Sequence, residues 1–192
     1  VSHDKDTALD QALDLFWTKG YASTSLKDLE RATGMHPGSL YAAFGSKAKL
    51  YCLSLERYAK RLSVLRAELQ AQAASPLDGL ADFIAIAHPL SDADAPLPVC
   101  YLVKATLETS QGNQAIDDKL SELLSQNDAT FASIFQQAIT AGDLPPQSDA
   151  TRLARQLSAD LAGLCFYALR EEDANVIKEM VTDLAKRVRC QR

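Results

Sequence analysis

The 192-residue chain is 47% hydrophobic and 23% charged, an ordinary globular composition that buries a core without disulfide or metal staples. Its formal net charge of −5 argues against a generally sticky nucleic-acid binder, yet residues 1–61 hold nine Lys/Arg against seven Asp/Glu while the remainder hold eleven against eighteen, so a mildly basic N-terminal segment would face phosphates ahead of an acidic body. The longest apolar run, Leu161 to Leu169, is too short for the ~20 residues that span a bilayer, and Cys52, Cys100, Cys165 and Cys190 form no CxxC pair, which excludes zinc ribbons and disulfide scaffolds.

Every long segment repeats apolar residues at helical spacing, and none alternates with a period of two. Residues 4–19 carry Ala8, Ala12, Leu15 and Phe16 on one face, and Gly20 ends that helix. Ser25-Leu26-Lys27-Asp28 is a capping box, which opens a helix by satisfying backbone N–H groups at both ends of the box. The helix it starts is short, with Leu26, Leu29 and Ala32 inward and Gly34 as its stop. A second short helix starts near Pro37, where a missing N–H costs nothing. Leu40 and Phe44 form its inner face, while His36, Pro37, Ser39, Ala42 and Ala43 face outward.

Gly45-Ser46 recaps the chain into a long helix from Lys47 to about Ala73. A helix at 77–88, a Pro-rich loop from His88 to Pro98, and helices at 99–109 and 115–141 follow. Gly142 and Pro145-Pro146 break the pattern before two last helices at 149–170 and 174–189. The expected fold is all-α with about nine helices. A helix-turn-helix domain over 1–47 precedes a helical ligand-binding and dimerisation domain over 48–192.

Two short helices joined at Gly34 and braced by the first helix are the parts of a helix-turn-helix, whose second helix enters a major groove ~12 Å wide. Here the sequence resembles the DNA-binding domain of the TetR/AcrR family. The resemblance runs without gaps over residues 12–50: Ala12-x-x-Leu15-Phe16, Gly20-Tyr21-x-x-Thr24-Ser25-Leu26-x-Asp28-Leu29, Ala32-x-Gly34-Met35, and Gly38-Ser39-Leu40-Tyr41-x-x-Phe44-x-Ser46-Lys47-x-x-Leu50. It implies that Thr24, Tyr41 and Lys47, with Ser25 beside them, meet operator phosphates. It also implies that His36, Pro37 and Ser39 meet base edges. Two positions depart from the family pattern: His36 replaces the usual Ser or Thr cap, and Ala43 stands where a polar or aromatic residue is common.

The resemblance further implies a ligand-responsive repressor that binds a near-palindromic operator as a homodimer, since two recognition helices must meet successive grooves ~34 Å apart. The stripes Leu153, Leu157, Leu161, Leu164, Ala168 and Val176, Ile177, Met180, Val181, Leu184, Val188 place the dimer interface on helices 149–170 and 174–189, as a four-helix bundle. The alternative is that these stripes bury only against their own chain. The small-molecule effector pocket is expected among Phe83, Ile84, Cys100, Tyr101, Lys104, Leu107, Phe131, Phe135 and Phe166, aromatics with a few polar groups. The long 47–73 helix is the expected lever between pocket and operator.

Cys100 has two readings: an inert core thiol, or a redox or electrophile sensor activated by a helix N-terminus and by Lys104 one turn on. The sequence offers little to an enzyme. It has three histidines and no HExxH, no glycine-rich phosphate loop, and a Ser46-x-x-Lys49 without partner motifs. No metal or cofactor is expected. No charged-then-apolar leader opens the chain, so a soluble, cytoplasmic protein is expected. A helical protein-interaction module would explain the body but not the turn chemistry at 24–47.

Overall fold

The computed structural model describes residues 2–87, 99–108, 112–171 and 173–190. Those residues form nine α-helices and no strand: α1 (Ser2–Lys19), α2 (Leu26–Thr33), α3 (Pro37–Phe44), α4 (Lys47–Gln72), α5 (Pro76–Ala87), α6 (Tyr101–Glu108), α7 (Gln114–Ala141), α8 (Ala150–Ala168) and α9 (Ala174–Arg189). The expected Pro-rich loop from His88 to Pro98 lies outside the described residues. No described helix is long and apolar enough to cross a membrane.

The chain forms two compact units that do not follow chain order. One holds residues 1–61 and 101–123; the other holds 62–100 and 124–192. The first therefore recruits α6 and the start of α7 as well as the N-terminal helices.

The first unit is built on aromatic edges. Phe16, fully buried, meets the Tyr51 ring edge-on at 5.0 Å, and Tyr21 lies 4.9 Å from the same ring. Trp17 packs edge-on against Tyr58 at 5.0 Å. Such edge-on pairs add about 0.5–1.5 kcal/mol beyond the area they bury. Tyr101 of α6 enters the same cluster, and its hydroxyl shares a 2.9 Å hydrogen bond with Ser54. On the rim, the Arg57 guanidinium donates to both oxygens of Asp10, at 2.8 and 3.0 Å. This two-pronged geometry is the strongest that a carboxylate pair adopts.

In the second unit α9 lies along α5. Ile177, Val181, Leu184 and Val188 are buried, and Arg189 pairs with Asp78 at 3.1 Å. Asp149 and Asp173 cap α8 and α9 by accepting backbone N–H groups from Arg152 and Asn175, the preferred chemistry for a helix start.

Candidate nucleic-acid interface

The turn between α2 and α3 is set by three local devices. Ser25 Oγ accepts the Asp28 N–H at 3.2 Å, and the Asp28 carboxylate accepts the Ser25 N–H at 2.8 Å, so both halves of the capping box form. Gly34 takes the left-handed conformation, φ +65°, that ends α2. Pro37 stands at the first turn of α3 behind a His36 that makes no side-chain cap. Proline fills that position without losing a needed donor.

Packing then decides which face of α3 shows. Leu29 of α2 and Leu40 and Phe44 of α3 are buried, whereas Gly38, Ser39 and Ala42 are exposed. The Tyr41 ring is 46% exposed. The His36 imidazole is 89% exposed, with Nδ1 3.4 Å from a Glu30 carboxylate oxygen. Ser46 Oγ accepts the Lys49 N–H at 3.1 Å, so this serine caps α4.

The expected phosphate set is not uniform. Thr24 is 1% exposed, and its hydroxyl donates to the Gly20 carbonyl at 2.6 Å. This hydroxyl closes the turn after α1. Ser25 is exposed, but its hydroxyl is engaged with Asp28. The Lys47 ammonium sits 4.4 Å over the Tyr21 ring. Burial pushes it below its ordinary pKa, with Asp28 acting against the shift. Lys5 stands 5.3 Å over the Phe44 ring, a cation at the end of α3 that sequence reasoning missed. Its only sequence signal is position, one turn before Ala8 and Leu9.

Asp28 also binds Lys19 at 2.6 Å. Hydrogen bonds from Lys19 and from Ser25 hold its carboxyl well below the usual aspartate range. A depressed acid stabilises the fold above its unfolded value and loses that contribution as pH falls. The wild-type melting temperature should therefore drop more steeply than that of Asp28→Asn as pH falls from about 4, the ordinary aspartate value, into stronger acid. Equal slopes for the two proteins would refute the assignment.

The residues expected in an effector pocket divide between the two units. Tyr101, Lys104 and Leu107 belong to the first unit and the others to the second. Tyr101 is buried in the aromatic cluster and Lys104 is ion-paired with Glu108. In the second unit Phe83 and Phe131 lie 6.3 Å apart, and Phe135 and Ile84 are buried. Phe166 is 58% exposed. Leu107 is also exposed.

All four thiols are free, and only Cys165 is buried. Burial and the neighbouring Cys100 push the Cys165 thiol up to about 12. The ammonium expected to activate Cys100 is occupied by Glu108. Among the described residues no cluster of His, Cys, Asp or Glu could hold a metal ion.

Between Phe83 and Phe131 lies a residue that the sequence reading passed over. Arg66 is 6% exposed, its guanidinium stands 5.0 Å from each ring, and Nη1 donates to Asn127 Oδ1 at 2.8 Å. A signal existed: Leu62, Arg66 and Leu69 share one apolar stripe of α4, where a buried face calls for aliphatics.

A short helix anchored by two inward residues, presenting its other face beside cations and a capped helix start, defines a helix-turn-helix DNA-binding protein. The sequence model of the bacterial regulatory proteins of the tetR family matches residues 8–51. That of the tetracyclin repressor-like C-terminal domain matches residues 76–184. The chain is 34% identical over 179 residues to the HTH-type transcriptional repressor ComR of Escherichia coli (strain K12), covering 92% of this chain and 84% of that one.

Among solved structures it resembles the TetR family regulator CifR, a cysteine-mutant form in complex with 26-bp double-strand operator DNA. That match has 31% identity and a TM-score of 0.83, over 94% of this chain and 95% of the other. A TetR regulator from Chloroflexus aurantiacus shares the fold, with a TM-score of 0.85 at 24% identity, over 99% and 96% of the two chains. The chain belongs to the TetR family of bacterial transcriptional regulators, and it is a DNA-binding transcriptional repressor.

Proposed function

We propose that the protein is a ligand-responsive, cytoplasmic repressor that acts by binding, without catalysis, as a homodimer on a near-palindromic operator. The observation that carries the operator reading is the division of α3, with Leu40 and Phe44 buried while Ser39 and Tyr41 are open to solvent. In this reading Tyr41 and Lys47 bind phosphates, helped by the start of α4, whose capped N-terminus favours anions. Ser25 and Thr24 position that turn. His36, Pro37 and Ser39 meet base edges, and Ala42 and Ala43 offer apolar contact to thymine methyl groups. The operator-binding part covers residues 1–47, and residues 48–192 sense the effector and dimerise.

The dimer reading draws on exposed apolar groups. On α9, Ile177, Val181, Leu184 and Val188 are buried within the chain, while Val176 and Met180 are half-buried. Phe166 and Leu169 on α8 and at its C-terminal end remain open, with Leu153 and Leu161 half-buried. These are the side chains a second copy would cover. A ligand that favours one conformer lowers operator affinity only by its differential affinity for the two states, and DNA lowers ligand affinity reciprocally.

The test is a gel shift with DNA from upstream of the gene. Tyr41→Ala and Lys47→Ala should each weaken operator binding about 5- to 30-fold, the ~1–2 kcal/mol of a charge-assisted phosphate contact, with little change in melting temperature. Lys47→Ala should also reduce the salt slope by about one ion. Binding that is indifferent to DNA sequence and unaffected by both substitutions would refute the reading.

A further inference from the structure

Among its described residues, the second unit holds a buried cation, Arg66, without a matching anion. The Arg66 guanidinium has one protein acceptor, Asn127 Oδ1. Among the described residues no carboxylate lies within ion-pair distance of it. Burial alone pushes its pKa below the ordinary arginine value, with no neighbouring charge acting on it. Buried charges in proteins are normally paired, because an ion taken out of water loses its hydration. The two rings stacked against the guanidinium recover part of that cost but leave its N–H fork unfilled.

We propose that Arg66 is the anion anchor of the effector site, and that the effector is a small monocarboxylate on an aromatic or apolar body, seated against Phe83 and Phe131. The proposal rests on the reading of this unit as the effector-sensing part. The chemistry selects the ligand class. A guanidinium fork matches a carboxylate with two parallel hydrogen bonds. One positive charge among aromatic rings neutralises a monoanion but leaves a phosphate dianion half-compensated. The rings that flank Arg66 then cover the ligand's apolar body. Arg66 lies on α4, the helix that Lys47 opens, so a carboxylate that reorients Arg66 acts on the element that begins at the operator contact.

The probes are benzoate, phenylacetate, 3-phenylpropionate and 4-phenylbutyrate, each paired with its uncharged primary amide, from micromolar to millimolar concentration. On the wild-type protein, at least one acid should raise the melting temperature by several degrees while its amide does not, because a ligand that binds only the folded state stabilises it. Arg66→Met should fold, since it removes a buried charge that has no ion-pair partner among the described residues and keeps an unbranched apolar stem against the rings. It should bind the same acid at least tenfold more weakly.

If Arg66→Met does not fold, Arg66→Lys keeps the charge without the fork and should bind several-fold more weakly. The proposal is overturned if no acid shifts the wild type, if acids and amides act alike, or if the acid stabilises the variant as well as the wild type. These melts contain no DNA, so they fail separately from operator binding: an absent gel shift counts against the regulator reading, and an absent acid–amide difference counts against the anchor.

Discussion

Phe16→Ala should destabilise the first unit by about 3–5 kcal/mol, the range for truncating a buried phenylalanine. It should lower the melting temperature by roughly 10 °C, at 2–4 °C per kcal/mol for a chain of this length. Phe16 is fully buried, with its ring edge-on to Tyr51 at 5.0 Å and 6.4 Å from Tyr21. Truncation removes both ring contacts and leaves a void lined by rigid aromatics that collapse poorly, which favours the upper half of the range. Operator binding should persist well below the new melting temperature and vanish near it. Tyr41→Ala should behave oppositely, losing affinity at every temperature while melting almost as the wild type does. A Phe16→Ala protein that melts within about 1 kcal/mol of the wild type would show that the aromatic cluster is not the support of the reading helix.

That contrast also explains which parts of the structure could be read from the sequence. The turn chemistry is local. Ser25 and Asp28, Gly34, and Pro37 act within four residues of themselves, so their types and spacing specified α2 and α3 almost to the residue. The inward pair Leu40 and Phe44 followed from helical period alone. Partners distant in sequence were not legible. Periodicity says that α6 has an apolar face, but nothing in it says that Tyr101 reaches Ser54 on α4 and that α6 joins the N-terminal unit. For the same reason the α9 stripe gave no indication that α5 of its own chain packs against α9.

Site residues followed the same division. A hydroxyl suits a phosphate or a carbonyl equally well, so Thr24 was chemically plausible at the operator even though it closes a turn on Gly20. Phe166 had a pocket residue's composition in a place that solvent reaches. Arg66 ran the other way. A single arginine in an aliphatic stripe reads as a solvated side chain until coordinates show that Phe83 and Phe131 enclose it.

Gly20→Ala should cost about 2–4 kcal/mol, through two causes that can be separated. Gly20 sits at φ +83° at the end of α1, its N–H donating to the Phe16 carbonyl at 2.8 Å. An L-residue in that conformation costs roughly 1–2 kcal/mol. A Cβ there would also stand 2.7 and 2.8 Å from the Glu108 carboxylate oxygens, and overpacking of this kind costs about 1–3 kcal/mol. The carboxylate ends a flexible side chain, but Lys104 holds it, so it cannot withdraw freely. Glu108→Ala in the Gly20→Ala background should therefore recover the steric part, about 1 kcal/mol or more, and leave the backbone part untouched. The double-mutant cycle reads this as non-additivity between contacting residues. Strict additivity would mean that α6 is not pressed against the end of α1. The same substitution should weaken operator binding, because the Gly20 carbonyl accepts the Thr24 hydroxyl and so fixes where the capping box, and the reading helix behind it, begins.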